Sequence, residues 1–184
     1  MIAASRWDGA VPLYDPCCGS GTIAIEAAQV ARNIAPGMLR RFGFEKLLPY
    51  QAHVWSAIKA EAQAMERPAE VTVYGSDVAF RMVDFANRNA QRAGVEGVVQ
   101  FRGGDALQRM PPCEQPGLML VNPPYGERIE TAGVAGRTQG GRERTNPGAG
   151  REHAQSEEAG DFFVQLASHW KKHYAGWTAW VLTP

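Results

Sequence analysis

The sequence has no long hydrophobic run and no excess charge of either sign. No apolar stretch approaches the roughly 18 residues of a membrane span, and the first residues, MIAASRWDGA, lack the pattern of a signal peptide. Lysine and arginine together number 19, as do aspartate and glutamate, so no uniform field attracts a polyanion. These absences predict a cytoplasmic protein with no membrane partner. Any contact with nucleic acid must come from a local patch or from another module.

Cysteine and histidine are also scarce. The cysteines are Cys17, Cys18 and Cys113, and the histidines are His53, His153, His169 and His173. Two adjacent thiols and one distant thiol match neither a disulfide framework nor the C-x-x-C spacing of a zinc site. We therefore expect reduced cysteines and no bound metal.

Five short apolar runs alternate with helix-compatible segments, which predicts a parallel sheet with crossover helices in one domain, residues 1–184. The runs are VPLYD, VTVYGSD, VVQFRGGD, LMLVN and WTAWVLT. The predicted helices begin near Thr22, cover about Tyr50 to Glu66, run from about Ala79 to Ala93, and span about Asp161 to Tyr174.

Two segments interrupt this alternation. Residues 132–160 are rich in Gly and Arg and poor in large apolar side chains, which predicts a flexible surface insertion. The segment RNIAPGMLRRFGFEKLLP is predicted to be irregular. Its cations and the two interleaved phenylalanines suit phosphate and stacking contacts, but also suit a solvated loop whose phenylalanines pack inward. These residues are Arg32, Arg40, Arg41, Lys46, Phe42 and Phe44.

Polar side chains stand at or just after the ends of four predicted strands. They are Asp15, Asp77, Asp105 and Asn122. Ligands of open α/β sheets bind outside the carboxyl ends of the strands, so this pattern predicts a site at that edge.

The stretch LYDPCCGSGTIAIEAA indicates a strand, a tight turn and a helix. Gly19 and Gly21 permit a close backbone approach to a ligand, and the helix from Thr22 presents N–H groups to a negative charge. A dinucleotide fingerprint expects a ribose-binding acid about 20 residues later, whereas the next acid that ends a strand is Asp77. NAD is therefore disfavoured, while an adenosine ligand is not.

Asp77 can accept hydrogen bonds from both ribose hydroxyls, and Asp105 from an adenine amino group. Both acids also suit turns or helix caps, and Asp77 suits the N-cap of the following helix. Their succession after the glycine turn favours the ligand role.

The stretch NPPY, which follows the fourth apolar run, suits the binding of a planar amine. The Asn122 side-chain oxygen and the Pro123 carbonyl can accept N–H bonds and aim the nitrogen lone pair at an electrophilic methyl group. The prolines, Pro123 and Pro124, fix φ and thereby the carbonyl direction. Tyr125 offers a face on which a base stacks, a contact worth about 1–3 kcal/mol. The alternative is a simple strand terminator with Tyr125 at the edge of the core.

The motifs DPCCGSGT, GSD, GGD and NPPYGERI, in this order, resemble the class I S-adenosylmethionine-dependent methyltransferases. DPCCGSGTIAIEAA with NPPYGER is most similar to the THUMP-associated N2-guanine RNA methyltransferases of the RlmL type, which act on large-subunit ribosomal RNA. The resemblance implies a Rossmann-like, twisted, mostly parallel sheet flanked by helices. It implies S-adenosylmethionine as cofactor and a guanine in RNA as substrate.

The resemblance also implies roles for individual residues. Asn122, Pro123, Pro124 and Tyr125 would receive the target base. The cofactor-binding residues would be Asp15, Cys17, Gly19, Ser20, Gly21, Thr22, Asp77, Asp105, Ala106 and Asn122.

The chain departs from the family pattern at both ends. No THUMP-type RNA-binding region precedes Asp15, so we expect one elsewhere in a longer protein, and we expect the sheet to be truncated after its fifth strand. Three alternatives stay open. They are a protein glutamine N5-methyltransferase, an adenine-N6 nucleic-acid methyltransferase, and a non-catalytic fragment that binds cofactor or RNA.

Overall fold

The five predicted strands are all present in the computed structural model, which describes residues 1–123 and 151–183, with the backbone alone over residues 151–160. The strands are β1 Leu13–Asp15, β2 Val73–Asp77, β3 Val99–Gly103, β4 Leu118–Val121 and β5 Thr178–Val181. All four strand pairings are parallel, which confirms the predicted α/β fold. The helices of the described residues are α1 Ile2–Ser5, α2 Thr22–Ala31, α3 Ala52–Ala64, α4 Phe80–Ala93 and α5 Arg151–His173. None of them is both long enough and apolar enough to cross a membrane.

The strand order β3-β2-β1-β4-β5 places a topological switch point between β1 and β4. From β1 the sheet grows in one direction through β2 and β3, and then in the other through β4 and β5. Open α/β sheets bind their ligands beside such a point. Asp15 is the last residue of β1 and Asn122 directly follows β4, so both flank the switch point.

The central strands β1 and β4 are buried along their whole length because both faces of the sheet are covered. Side chains alternate between the faces with the two-residue period of a strand. One face packs against α2 and α4 through Leu13, Leu118 and Leu120. The opposite face holds Tyr14, Met119, Val121 and Tyr174.

Helices α2 and α4 present small side chains to the sheet. The buried residues of α2 are Ala24, Ala27, Ala28 and Ala31, and those of α4 are Val83, Ala86 and Ala90. Their spacing of three or four residues forms the apolar stripe of an amphipathic helix. Because alanine is short, both helices approach the strands closely and fix the loops at the carboxyl edge.

The start of α5 corrects the sequence prediction. The helix begins at Arg151, ten residues before the predicted start at Asp161, so residues 151–160 are helical rather than part of the predicted insertion. The prediction rested on the scarcity of apolar side chains, whereas REHAQSEEA consists largely of residues with high helix propensity. Residues 132–150 of the predicted insertion lie outside the described residues.

Candidate active site

The carboxyl edge of the sheet brings the four predicted polar side chains to one side of the molecule. Asp15 pairs with Gly75 of β2, so β2 extends two residues further, to Asp77. Asp77 pairs with Gly103, the last residue of β3, and Asp105 follows two residues after it. The parallel pairing of β1 with β4 places Asn122 at the same edge. The three acids and the amide therefore share this edge.

Two glycines form the turn between β1 and α2 with left-handed backbone conformations. Gly19 has φ 53° and Gly21 has φ 86°. A Cβ at Gly21 would lie 2.8 Å from the Phe101 ring and 3.0 Å from the Ala86 Cβ, so no side chain fits there. At Gly19, by contrast, no other atom of the described residues beyond its chain neighbours lies within 4 Å of a Cβ position. The turn thus packs against the core on one side and leaves space for a ligand on the other.

The end of β2 holds this turn in place. The Cys18 N–H donates to the Ser76 carbonyl at 2.9 Å, and the Gly19 N–H donates to Asp77 Oδ2 at 2.9 Å. The other Asp77 oxygen, Oδ1, accepts from the Ala79 N–H at 2.9 Å. The N-cap position of α4 belongs to Ala79, so Asp77 does not cap the helix itself. Asp77 instead ties two backbone segments together.

Ser76 and Asn89, which were not predicted from the sequence, also hold the turn. The Tyr14 and Ser76 hydroxyls are 2.6 Å apart, and the Ser76 hydroxyl donates to the Pro16 carbonyl at 3.3 Å. The Asn89 amide donates to the Ser20 carbonyl at 3.0 Å. The partners of Ser76 and Asn89 lie 60 or more residues away along the chain, so no local sequence signal reveals these contacts.

Asp15 lies beneath the turn with an exposed fraction of 1%. Burial raises its pKa to about 7, and the negative charge of Asp77 adds to the rise, while the hydrogen bond from the Cys17 N–H opposes it. The Cys17 N–H donates to Asp15 Oδ1 at 3.1 Å. Asp15 therefore supports the turn from inside and titrates near neutral pH.

The pKa of Cys17 shows that the three acids lie near one another. Burial raises the pKa of its thiol, and the charges of Asp15, Asp77 and Asp105 raise it further. All three carboxylates therefore act on the same side chain. Cys17 remains a neutral thiol and forms part of the apolar wall beside α5.

The turn that carries Asp105 is fixed from α5. Asp105 Oδ1 accepts from the Leu107 N–H at 2.9 Å, and the Asp105 carbonyl accepts from the Arg109 N–H at 2.9 Å. The Arg109 carbonyl in turn accepts from the Tyr174 hydroxyl at 2.9 Å and lies 2.7 Å from His169 Nε2. Since a carbonyl only accepts, His169 Nε2 is the donor in this bond. These bonds set the position of Asp105 at the edge.

Apolar side chains line the same turn. Ala106 is buried against Phe162 and Leu166 of α5. Phe80, the first residue of α4, is 78% exposed, and its ring lies against Gly103, where it would clash with a Cβ. Sequence reasoning missed Phe80, because an apolar residue at a helix start is typical of core packing. An exposed aromatic ring beside Asp77 and the Asp105 turn suits a flat ligand.

The N-terminus of α2 faces the same edge. Its N-cap is Gly21, with no side-chain cap and no acid in the first turn, and Thr22 is exposed. A helix end of this kind attracts an anion through its backbone N–H groups.

The predicted acceptor residues are described only in part. Asn122 is exposed at the end of β4 and Pro123 is buried. The Leu182 N–H donates to the Val121 carbonyl at 2.9 Å, which anchors the strand just before Asn122. Pro124 and Tyr125 lie outside the described residues.

Comparison with known proteins gives a consistent result. The family model UPF0020, described as RMKL-like, methyltransferase domain, matches residues 1–137. The Ribosomal RNA large subunit methyltransferase K/L of Psychromonas ingrahamii is 38% identical over 183 residues, which are 96% of this chain and 21% of that protein. The protein of the same name from Vibrio cholerae is 43% identical over 137 residues, 71% of this chain and 19% of that protein. The chain thus spans about a fifth of the length of these relatives.

Solved structures share the fold over nearly the whole chain. The crystal structure of SMU.472 complexed with SAH has a TM-score of 0.75 and 26% identity, covering 98% of this chain and 41% of that one. A Listeria monocytogenes protein, described as a predicted N6-adenine-specific DNA methylase, has a TM-score of 0.77 and 29% identity, covering 99% and 41%. With a family model that matches about three quarters of its residues, the chain belongs to the RMKL-like methyltransferase domain family.

Proposed function

We propose that this domain transfers a methyl group from S-adenosylmethionine to the exocyclic N2 of a guanine in large-subunit ribosomal RNA. One observation carries the proposal. A preformed glycine turn, three converging acids and the Asn122 amide share the carboxyl edge of one parallel sheet. The names of the ribosomal RNA methyltransferase relatives and the SAH bound to SMU.472 support the substrate and the cofactor.

The residues at this edge fit an adenosine with a methionine tail. Each Asp77 oxygen accepts one backbone N–H, which leaves lone pairs for the two ribose hydroxyls. Asp105 would accept from the adenine amino group, and Phe80 would provide an apolar wall beside the ring. The open space over Gly19 and the N–H groups at the start of α2 would hold the methionine part and its carboxylate. When bound, this cofactor supplies a methyl carbon activated by a sulfonium sulfur.

Asn122 and Pro123 orient the acceptor. The Asn122 side-chain oxygen and the Pro123 carbonyl accept the two N–H bonds of the amine, so its lone pair points at the methyl carbon. In the transfer, a nitrogen–carbon bond would form as the carbon–sulfur bond of the cofactor broke with its electron pair left on sulfur, and the nitrogen would then release a proton to solvent. The base must first leave its stack, at a cost of a few kcal/mol. Stacking on Tyr125 stays a prediction.

A second candidate is N6-methylation of adenine in nucleic acid. The observation in its favour is the 29% identity to the Listeria protein, which is described as an N6-adenine-specific DNA methylase. An adenine amino group presents the same two N–H bonds to Asn122 and Pro123. The edge geometry therefore suits either base, and the two functions differ in the nucleoside that is labelled.

The experiment uses tritiated S-adenosylmethionine with large-subunit ribosomal RNA, duplex DNA and release-factor protein as separate acceptors. Label in N2-methylguanosine supports the proposal. Label in N6-methyladenine supports the second candidate, label in glutamine supports a protein methyltransferase, and SAH binding with no transfer supports a non-catalytic fragment.

Asn122→Ala tests the role of the amide. We expect transfer to fall about 10²–10³-fold, the effect of removing one oriented transition-state contact, with unchanged SAH affinity by calorimetry. The matched control is Asn87→Ala on the exposed side of α4. If Asn122→Ala weakened SAH binding as much as it weakened transfer, the assignment of Asn122 to the acceptor would be wrong.

A further inference from the structure

Residues 34–64 form a protruding unit between α2 and β2, which we call the head. Its base is closed by contacts between residues 32–33 and residues 65–67. They are Asn33 Nδ2 to the Met65 carbonyl at 2.9 Å, the Arg67 N–H to the Arg32 carbonyl at 2.9 Å, and the Arg32–Glu66 ion pair at 3.4 Å. Arg32 also donates to the Gly94 carbonyl at 2.6 Å, so its guanidinium belongs to the base and is not a free phosphate contact.

The head packs on itself rather than on the main core. No residue of α3 is buried. An aromatic cluster within the head packs together instead of packing against the main core. Its ring-centroid distances are Phe42–Phe44 5.4 Å, Phe44–Trp55 5.0 Å, Phe42–Trp55 5.7 Å and Phe44–Tyr50 6.2 Å. The two phenylalanines thus pack on each other and on Trp55, and Phe44 stays 43% exposed.

The head also exposes aliphatic side chains to solvent. Leu39 is 78% exposed, Leu47 63% and Leu48 98%. Several large apolar side chains gathered on a protruding unit mark an interaction surface, unlike single exposed ones, which are common.

The head also concentrates positive charge in a chain whose net charge is zero. The charged residues of the head are the cations Arg40, Arg41, Lys46 and Lys59 and the acids Glu45 and Glu61, which give it a net charge of +2. Glu45 accepts a hydrogen bond from the Phe42 N–H at 2.9 Å. The Arg40 guanidinium lies 4.8 Å from the Phe42 ring centroid and the Lys59 ammonium 5.7 Å from that of Trp55. Two cations of the head therefore lie against the faces of its aromatic rings.

We propose that the head binds a single-stranded or looped segment of RNA, with phosphates on its cations and bases on its aromatic faces. This combination is the one that single-stranded nucleic acids need, because phosphates require positive charge and bases stack on rings. The choice of RNA rests on the proposed function. The net charge of +2 on the head, in a chain of zero net charge, suits a phosphate polymer.

The test measures the affinity of the full chain for a short fluorescein-labelled single-stranded RNA by anisotropy at several salt concentrations. The variant is Arg41→Gln with Lys46→Gln, and both side chains are exposed. We expect Kd to rise at least tenfold. Each lost phosphate contact lowers the slope of log Kd against log salt by about 0.7, so the double variant lowers it by about 1.4. The matched control is Lys171→Gln with Lys172→Gln, an exposed pair on α5, which should leave Kd within about twofold.

Several outcomes would overturn the inference. They are an absence of RNA binding by the unaltered chain, an unchanged Kd in the head variant, and equal losses in both double variants. A last such outcome is a Leu48→Ser variant that keeps its RNA affinity but no longer associates with another protein, which would assign the head to a protein partner.

Methyl transfer is measured in parallel on the same samples, so that the two proposals fail separately. If the head variant loses RNA affinity while the unaltered chain labels only DNA adenine or nothing, the head proposal stands and the guanine proposal fails. If guanine is labelled and the head variant keeps full RNA affinity, the reverse holds.

Discussion

The turn between β1 and α2 and the head between α2 and β2 are separated by a single helix, yet they are stabilised in opposite ways. The turn makes hydrogen bonds with Ser76, Asp77 and Asn89, which belong to two other elements of the main fold. The head is tied to that fold at its base and otherwise relies on its own aromatic rings. Both segments look irregular in the sequence, and only their long-range contacts distinguish them.

This difference separates two kinds of binding surface. A turn that is rigid before the ligand arrives avoids the entropy cost of ordering, which suits a small cofactor held at a fixed distance from a reacting atom. An exposed, self-packed head suits a large and variable polymer, for which position matters less than charge and stacking area. Substitutions in the turn should therefore change cofactor binding, and substitutions in the head should not.

Asp77→Asn should produce the largest effect. The amide cannot accept both the Gly19 and the Ala79 N–H groups, so the turn loses an anchor and the ribose loses an acceptor. Hydrogen bonds to charged groups contribute about 1.5–3 kcal/mol each, so we expect SAH affinity, measured by calorimetry, to fall about 100-fold. Asp84→Asn, on the exposed side of α4, is the control and should change nothing. A loss of less than about threefold at Asp77 would mean that the turn does not depend on β2.

Asp15→Asn should change the pH dependence of stability. The pKa of an unfolded aspartate is about 3.9, whereas burial raises that of Asp15 to about 7 in the fold. Between these values the native state keeps a proton that the unfolded state has lost, so the free energy of unfolding falls as pH rises and levels off above the folded pKa. Asparagine still accepts the Cys17 N–H but does not titrate.

Urea unfolding of both proteins at pH 5 and pH 8 measures this effect. We expect the stability of Asp15→Asn relative to the unaltered chain to increase by about 2–3 kcal/mol between the two pH values. The difference between the two proteins cancels the other carboxylates, which titrate in both. An equal pH dependence in the two proteins would show that Asp15 is charged throughout this range.

Ser76→Ala should produce the smallest effect of the three and sharpen the comparison with the head. The substitution leaves the buried Tyr14 hydroxyl and the Pro16 carbonyl without their partner, which costs about 1–3 kcal/mol. We expect lower stability in urea and a several-fold loss of SAH affinity. Ser56→Ala, on the exposed surface of α3, is the matched control in the head and should be neutral. Equal losses at both serines would contradict the distinction between the two segments.

The architecture could be predicted from the sequence because its signals are local. Alternating apolar runs and helix-compatible segments located all five strands, and the positions of Asp15, Asp77, Asp105 and Asn122 located the edge that they share. The roles of these residues stay proposals. Pro124 and Tyr125 lie outside the described residues.

The missed features depend on tertiary contacts. Ser76 and Asn89 act on residues far away in the sequence, and Phe80 becomes informative only because its ring remains exposed beside Gly103. The packing of Phe42 and Phe44 was one of two alternatives, because phosphate and stacking contacts and inward packing of the phenylalanines fit the same sequence; the structure packs the two rings on each other. The near-neutral pKa of Asp15 requires the burial that only the folded chain provides.

The tight packing at Gly21 couples the stability of the glycine turn to that of the main core. There is no room for a Cβ between Phe101 of β3 and Ala86 of α4, so the turn packs directly on the main core and its opening would expose these side chains to water. Its backbone amides, such as that of Cys18, should therefore exchange with deuterium as slowly as those of the central strands. We therefore expect the glycine turn to unfold together with the main core, so that a folded chain keeps the turn in the conformation that suits its ligand.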